Sequence, residues 1–150
     1  MTASELRAKK AAKIKGLYCI TAEMYSKWRD NITVVKEMLS GGAKIIQYRE
    51  KDMPMLRQYE QCLKLRRMTK DAGAMLIIDD YVGLALAVGA DGVHIGQEDL
   101  PIEAVRKIAG EEMLIGLSTH SPEQALDAAA RGADYIGVGP VFETHTKKNV

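Results

Sequence analysis

The feature of this sequence that most constrains its fold is a regular alternation of short apolar runs with longer helical patterns. Six runs rich in apolar residues recur along the chain, at residues 17–21, 44–49, 75–79, 92–95, 114–118 and 135–138. Runs that are apolar at nearly every position are typical of parallel strands buried on both faces. The pattern therefore predicts a parallel sheet of six strands.

Helical patterns fill the segments between these runs. Apolar stripes at helical spacing are formed by Ile32, Val35, Met38 and Leu39, by Met55, Tyr59, Cys62, Leu65, Met68 and Ala72, and by Ile102, Val105 and Ile108. A short apolar segment at 82–88 and a capping box beginning at Ser121 predict two more helices. Because glycine separates each helix from the next strand, we expect βα units joined by right-handed crossovers.

The alternation alone fits either an open doubly wound sheet or a closed barrel. No G-x-G-x-x-G motif follows the first run, so the main sequence sign of a dinucleotide fold is missing. Polar residues instead cluster at the carboxyl ends of several runs, as the active site of a TIM (β/α)8 barrel requires. We therefore predict one α/β barrel domain over residues 1–150, incomplete at about six βα units, with a basic helical extension at residues 1–15.

Composition limits the classes of partner that such a domain can bind. Lys and Arg number 21 and Asp and Glu number 20, a balance that gives no electrostatic basis for binding nucleic acid. No apolar run approaches the roughly 20 residues of a membrane helix. Cys19 and Cys62 lie in apolar segments without metal-like spacing, which indicates reduced core thiols. We expect a cytoplasmic protein whose main partner is neither nucleic acid nor a membrane.

A cluster of polar side chains ends the second run. Gln47 and Arg49 fall on one face of a strand because side chains alternate, and Lys51 continues toward the loop. Two cations and an amide donor in this arrangement suit a phosphate or diphosphate group. A solvated edge strand would also explain the charges, but the flanking Ile45 and Ile46 favour burial of both faces.

Carboxylates end the third and fourth runs. Asp79 and Asp80 close the third run, where acids are costly unless they meet a cation or a hydrogen-bond donor. Asp99 follows the fourth run, so Asp80 and Asp99 lie at the ends of neighbouring strands. Oxygen ligands beside a phosphate clamp indicate Mg²⁺. Capping of the helix after Pro101 is the alternative for Asp99, and its pairing with Asp80 favours the metal.

Further polar residues follow the later runs. His94 lies inside an apolar run, where a structural role is the simpler interpretation. Ser118 closes the fifth run, and His120 fits either an acid or base role or an ordinary position near a helix start. The sixth run is followed by two hydroxyls and a lysine that suit phosphate oxygens and also fit an ordinary loop, namely Thr144, Thr146 and Lys147.

Taken together, these residues resemble the thiamine-phosphate synthase family. The motifs are, in chain order, G-L-Y-x-I-T, Q-x-R-x-K, I-x-D, A-D-G-V-H-I-G-Q-E-D, S-x-H and G-V-G-P-V-F-x-T-x-T-K, within residues 16–148. The resemblance implies a TIM-barrel transferase that couples 4-amino-5-hydroxymethyl-2-methylpyrimidine diphosphate to thiazole phosphate, giving thiamine phosphate and pyrophosphate. It implies that Mg²⁺ is the cofactor and that the two phosphorylated compounds are the partners.

The resemblance also implies roles for individual residues. Metal ligation falls to Asp80 and Asp99. Catalysis falls to three cations, Arg49, Lys51 and Lys147. Substrate binding falls to the same cations together with Gln47, Asp79, Ser118, Thr144 and Thr146. The family usually carries Asn-Asp-Arg where this chain has Asp79-Asp80-Tyr81, so the carboxylate at 79 is either a third metal ligand or a repulsive neighbour of the diphosphate.

The sequence also suggests that the chain lacks the last two or so βα units of the barrel. We then expect the chain alone to lack full synthase activity, and self-association would cover its open edge. One alternative is a thiazole tautomerase-like enzyme, in which His120 is the acid or base and no metal is needed. The other is a non-catalytic half-barrel that binds phosphorylated ligands.

Overall fold

The computed structural model describes residues 1–147, and residues 148–150, the last three of the predicted domain, lie outside the described part. The strands within residues 1–147 are β1 (Tyr18–Ile20), β2 (Ile45–Tyr48), β3 (Met75–Asp79), β4 (Gly92–Ile95), β5 (Leu114–Thr119) and β6 (Tyr135–Val138). They form one sheet in sequential order, and each strand pairs in parallel with the next. A doubly wound sheet would reverse its strand order partway, so this order is that of a barrel wall. The predicted fold class is confirmed.

Helices connect the strands and cover one face of the sheet. Those of residues 1–147 are α1 (Ala3–Ala11), α2 (Asn31–Ser40), α3 (Met55–Asp71), α4 (Val82–Val88), α5 (Ile102–Ala109) and α6 (Pro122–Ala130), and a short 3-10 helix spans Glu23–Tyr25. The Ser121 side chain caps α6 by accepting a hydrogen bond from the Gln124 backbone, as predicted. The Gln124 side-chain oxygen accepts a hydrogen bond from the amide of His120, one residue before the capping position. None of these helices is both long and apolar enough to cross a membrane.

The two faces of the sheet bury different side chains. Ile46, Ile78 and Ile115 belong to the larger core, which the sheet forms with the helices. A smaller cluster on the opposite face contains Ile45 and Leu114 with their neighbours Met75 and Ile77. Strand alternation produces this division, because successive side chains point to opposite faces. The smaller cluster lies on the inner, concave side, where a barrel is filled by side chains rather than left as a pore.

Two matched ion pairs hold the amino ends of the strands. Asp91 precedes β4, and its Oδ2 accepts hydrogen bonds from Arg66 Nη1 at 2.6 Å and from the Leu76 amide at 2.9 Å. Asp134 precedes β6, and its Oδ2 accepts bonds from Arg106 Nη2 at 2.9 Å and from the backbone amide of residue 115 at 2.8 Å. In both units an arginine from one helix and an amide of the following strand meet the same carboxylate. We call these two arrangements the amino-end clamps.

The N-terminal segment lies at the same end. Arg7 Nε is 3.2 Å from Asp134 Oδ1, and Arg7 Nη1 is 2.7 Å from Glu111 Oε2. Ala11 and Ile14 pack against the inner apolar cluster. The basic segment therefore covers the amino ends of the strands, opposite the carboxyl ends where the sequence places the site.

The edges of the sheet are less buried than its centre. All residues of β2, β3, β4 and β5 are buried, whereas β6 alternates between partly buried and exposed positions. Val138, Val141 and Phe142 are exposed on and after β6. Exposed apolar side chains beside a strand edge are typical of a surface that pairs with further structure.

Candidate active site

An open cleft of about 1410 Å³ lies at the carboxyl ends of the strands. The segments that line it follow β1, β2 and β6, and they include residues 22–25, 49–54 and 145–147. Four residues predicted from the sequence line this cleft, namely Arg49, Lys51, Thr146 and Lys147. Three segments far apart in the chain therefore meet where a barrel carries its chemistry.

The end of β2 carries the predicted cationic cluster. Gln47 is buried and points to the inner face, where its Nε2 donates to Tyr18 Oη at 2.9 Å. Arg49 Nε lies 3.6 Å from Asp79 Oδ2, and Lys51 Nζ lies 2.8 Å from the same oxygen. Tyr48 points the other way, as the alternation predicts, and donates to the side chain of residue 61 at 2.8 Å.

Lys51 also contacts a second carboxylate, that of Asp80. Burial would lower the pKa of Lys51, but its hydrogen bonds to Asp79 and Asp80 outweigh burial and raise the pKa above the usual lysine value. Burial raises the pKa of Asp79, and the bond from Lys51 offsets this only in part. Lys51 is therefore shared between two neighbouring carboxylates, and Arg49 is a second cation beside Asp79.

Asp80 and Asp99 approach each other across the ends of β3 and β4. Burial raises the pKa of Asp99, and the negative charge of Asp80 raises it further, against the lowering effect of a bond from the Gly96 amide. That amide donates to Asp99 Oδ2 at 2.6 Å. Asp80 has a left-handed backbone with φ of 60°, and its amide donates to the His94 carbonyl at 2.8 Å. Two carboxylates that repel each other form a pair suited to a cation.

The chemistry of this pair fits Mg²⁺ held jointly with a substrate. Within residues 1–147, no group of three or more His, Cys, Asp and Glu side chains is arranged to bind a metal ion. A fully protein-ligated site for a transition metal is therefore not found in that part of the chain. Mg²⁺ is typically bound by one or two carboxylates and completed by water and substrate phosphates. Asp80 and Asp99 supply such a set.

A chain of polar side chains runs through the inner face of the sheet. Tyr18 Oη lies 2.8 Å from Tyr135 Oη, and Tyr135 Oη lies 3.2 Å from His94 Nδ1. His94 Nε2 lies 2.9 Å from Ser118 Oγ. Burial lowers the pKa of His94 to about 4, and the charge of Lys147 lowers it in the same direction. His94 is therefore a neutral side chain with a partner on each ring nitrogen.

The two tyrosines that make these contacts, Tyr18 and Tyr135, carry no local sign of function in the sequence. Each is the first residue of its strand, and they lie 117 positions apart. The available sequence signal was the glycine on the neighbouring strand, which leaves room for a large side chain opposite it. A Cβ atom on Gly116 would overlap the Tyr135 ring, so glycine is required at the position where that ring lies.

The segment after β6 folds back over the site. Lys147 Nζ donates to Ser118 Oγ at 3.1 Å, and Arg49 Nη2 donates to the Thr146 carbonyl at 3.4 Å. The hydroxyls of Thr144 and Thr146 lie 3.0 Å apart. The structure thus brings the predicted loop residues next to the end of β2, although the hydroxyls of both threonines are engaged with each other.

Two other features lie at the rim. His120 is exposed, and its Nδ1 lies 2.6 Å from the Gly139 carbonyl oxygen, to which it donates. Trp28, the single tryptophan of the chain, is fully exposed and lines the cleft with a left-handed backbone at φ of 70°. No sequence motif marks the segment that carries Trp28.

Comparisons with known proteins identify the family of the chain and support its fold. Residues 17–150 match the family model described as thiamine monophosphate synthase. A thiamine-phosphate synthase of Pelotomaculum thermopropionicum is 58% identical over 134 residues, which are 89% of this chain and 62% of that protein. A thiamine-phosphate synthase of Caldicellulosiruptor saccharolyticus is 55% identical over 90% of this chain and 61% of its own. A solved thiamine phosphate pyrophosphorylase from Pyrococcus furiosus superposes with a TM-score of 0.79 at 44% identity, covering 83% of this chain and 60% of that one. The chain thus spans about three fifths of the length of these relatives.

Proposed function

Because the chain belongs to the thiamine monophosphate synthase family, we propose that it forms most of the site of a thiamine-phosphate synthase. The proposed reaction joins 4-amino-5-hydroxymethyl-2-methylpyrimidine diphosphate to thiazole phosphate and releases pyrophosphate. The observation that carries this proposal is the meeting of Arg49, Lys51 and Lys147 beside Ser118 and a pair of carboxylates. Those groups suit a diphosphate that leaves with its negative charge stabilised.

The three cations are the proposed diphosphate ligands. Arg49 offers a planar guanidinium that can bind two oxygens, and Lys51 and Lys147 act as point charges. Lys51 is held by Asp79 and Asp80, so we expect it to turn toward the diphosphate when another cation joins those carboxylates. Lys147 already donates to Ser118, so the two side chains would approach one phosphoryl group together.

Asp80 and Asp99 are the proposed Mg²⁺ ligands. When bound, Mg²⁺ would neutralise charge on the diphosphate oxygens and favour their departure. Asp79 is then proposed to position Arg49 and Lys51, since its carboxylate contacts both cations. This role for Asp79 differs from direct metal ligation.

The proposed chemical step is a substitution at the methylene carbon of the pyrimidine. The carbon–oxygen bond to the diphosphate breaks, and its electron pair stays with pyrophosphate. The pyrimidinylmethyl cation that results accepts the electron pair of the thiazole nitrogen, which forms the new carbon–nitrogen bond. The thiazole nitrogen carries no proton to lose, so no general base is required. Stabilisation of the leaving group by Arg49, Lys51 and Lys147 is then the main contribution of this chain.

Thr144 and Thr146 are the proposed contacts to the phosphate of the thiazole substrate. Their hydroxyls lie within 3.0 Å of each other on the loop that also presents Lys147. Gln47 is the proposed contact to the pyrimidine, because its amide is buried at the inner end of the cationic cluster. A cytoplasmic location is part of the proposal, supported by two free thiols, those of Cys19 and Cys62.

The direct test is thiamine phosphate formation from the two substrates, with and without Mg²⁺. It uses this chain and an extended chain that also carries the part of the Pelotomaculum relative outside the match. We expect Mg²⁺-dependent product from the extended chain and little from the 150-residue chain. Absence of product from both, together with binding of thiazole phosphate, would favour the tautomerase or the non-catalytic interpretation.

A matched pair of variants separates the proposed cations from the general charge of the surface. Lys147→Met removes the lysine that donates to Ser118, and Lys107→Met removes an exposed lysine on the outer face of α5. We expect product formation to fall only in the first variant. Equal activity of both variants would remove Lys147 from the mechanism.

A further inference from the structure

The polar chain of the inner face connects the two edge strands of the sheet with the site. It runs from Gln47 through Tyr18, Tyr135 and His94 to Ser118, and each contact is between 2.8 and 3.2 Å. Tyr18 belongs to β1 and Tyr135 to β6, so the chain crosses the interior rather than following neighbouring strands. We call these five side chains the inner relay.

The hydrogens of the inner relay can be placed by counting donors. The Gln47 amide nitrogen donates to Tyr18 Oη, so the single hydrogen of Tyr18 is available for another acceptor. Within residues 1–147 the acceptor in reach is Tyr135 Oη. The hydrogen of Tyr135 then goes to His94 Nδ1, which must be unprotonated.

The same count fixes the remaining bonds. A neutral imidazole carries one hydrogen, so protonation at His94 Nε2 follows from acceptance at Nδ1. Nε2–H donates to Ser118 Oγ, and Lys147 Nζ donates to the same oxygen. Ser118 therefore accepts two hydrogen bonds, and its own hydrogen has no acceptor in the described part of the chain. That hydrogen is therefore available to an anionic ligand that binds beside Lys147.

We propose that Tyr18, Tyr135 and His94 are positioning residues. The two tyrosines hold His94 as the Nε2–H tautomer, and His94 then leaves the Ser118 hydroxyl hydrogen free to bind an anionic oxygen of the ligand. The identity of that ligand, the departing diphosphate, rests on the proposed function. The tautomer does not, because it follows from the contacts of the ligand-free chain. Ser118 then acts beside Lys147 as a second donor to the same group.

The direction of the relay depends on the amide of Gln47. A group at this position that can only accept a hydrogen bond would reverse every bond of the relay. Tyr18 would donate to it, Tyr135 would donate to Tyr18, and His94 would donate from Nδ1. Ser118 would then give its hydrogen to His94 Nε2 and offer none to a ligand. The side chain at position 47 thus determines whether Ser118 is a donor.

The tautomer can be read directly by two-bond ¹⁵N–¹H correlation NMR on the histidine-labelled chain. The chain has three histidines, and the variants His120→Gln and His145→Gln assign His94 by elimination. We expect His94 to be the Nε2–H tautomer at neutral pH, because its Nδ1 accepts the hydrogen of Tyr135. An Nδ1–H tautomer, or a doubly protonated ring at pH 7, would overturn the proposal.

Gln47→Glu tests the coupling along the relay. An ionised carboxylate accepts hydrogen bonds only, so we expect His94 to switch to the Nδ1–H tautomer. The spectrum is recorded at a pH where the ¹³C shift shows the introduced carboxyl to be ionised. In the double variant Gln47→Glu with Tyr18→Phe the relay is cut, and we expect a return to the Nε2–H tautomer. No switch in the single variant, or a switch that persists in the double variant, would refute the relay.

Turnover by the extended chain tests the link to the ligand. Tyr135→Phe removes the hydrogen donated to His94 Nδ1 but leaves the ring in place beside Gly116. We expect kcat to fall about tenfold with little change in KM, the size of one weakened bond to the transition state. If the parent chain shows the Nε2–H tautomer but Tyr135→Phe leaves kcat unchanged, the relay does not direct Ser118 toward the ligand. Because the tautomer needs no substrate, this failure is distinct from failure of the relay.

Discussion

Basic and acidic side chains meet at both ends of the strands, but they are combined differently. At the amino ends each carboxylate of the clamps receives an arginine and a backbone amide, as Asp91 does from Arg66 and Leu76. At the carboxyl ends Asp79 and Asp80 share Lys51, and Asp80 faces Asp99. Matched charges with satisfied hydrogen bonds stabilise a fold, whereas crowded charges await a partner. The comparison separates an end of the sheet where each carboxylate has its own partners from an end where carboxylates share a cation and face each other.

The largest effect we expect is on activity at the carboxyl ends. Lys147→Met in the extended chain should lower kcat by roughly 100-fold to 1000-fold, because one donor to a developing anion is lost. Its free energy of unfolding should stay within about 1 kcal/mol of the parent, since this partly buried lysine loses one side-chain hydrogen bond. Steady-state kinetics and urea unfolding measure the two quantities. A large loss of stability would mean that this end also holds the fold together.

The next effect is on stability at the amino ends. Asp91→Ala should lower the free energy of unfolding by about 3 kcal/mol, because it leaves the Arg66 guanidinium and the Leu76 amide without their partner. Asp127→Ala is the control, since that carboxylate makes only an exposed pair with Arg131 and should cost less than about 1 kcal/mol. Similar losses in both variants would contradict the distinction between clamps and ordinary surface pairs.

A smaller effect should follow the addition of Mg²⁺. If Asp80 and Asp99 bind the ion, saturating Mg²⁺ should raise the free energy of unfolding by up to about 2.7 kcal/mol at 100 times the Kd. Thermal unfolding at matched ionic strength, with Na⁺ as the control salt, measures this rise. Asp91→Ala should keep the response, and Asp99→Asn should lose it. A response that survives Asp99→Asn would place the ion elsewhere.

The smallest effect concerns the repulsion between the two carboxylates. Asp99→Asn keeps an oxygen that can accept from the Gly96 amide and removes the charge that faces Asp80. Without Mg²⁺ we expect a gain of about 0.5 to 1 kcal/mol in the free energy of unfolding. Asp134→Asn should instead destabilise the chain, because that carboxylate has an arginine partner. Opposite signs in these two variants would complete the comparison between the ends.

The sequence predicts the strands well because most of them are buried on both faces. Three strands have the predicted bounds, and β2 is one residue shorter at each end than the run at 44–49. β1 is shorter than the run at 17–21, because an edge strand pairs on one side only. Burial on both faces makes every position of a strand apolar, and such a run is easily read from composition alone.

The candidate site is predictable only in part. Strand alternation places Arg49 and Lys51 beside the third strand, so their neighbourhood with Asp79 follows from topology. The amino-end clamps have no comparable signal, because Asp91 in Gly-Ala-Asp-Gly has the composition of an ordinary turn. The bond between Tyr18 and Tyr135 is further from prediction, since it depends on the curvature of the whole sheet. The residue roles at the site stay predictions until the variants are made.

The contact between Tyr18 and Tyr135 has a consequence for the order of folding. Local contacts within each βα unit can form early, whereas closing a loop of 117 residues costs entropy that only a nearly complete sheet can offset. The two hydroxyls can therefore meet only after β2, β3, β4 and β5 have assembled between them. A partly folded chain would have the cations that follow β2 but would lack the hydrogen bonds that orient Ser118. The chemistry of the inner relay thus becomes available as the last event of assembly rather than growing with each strand.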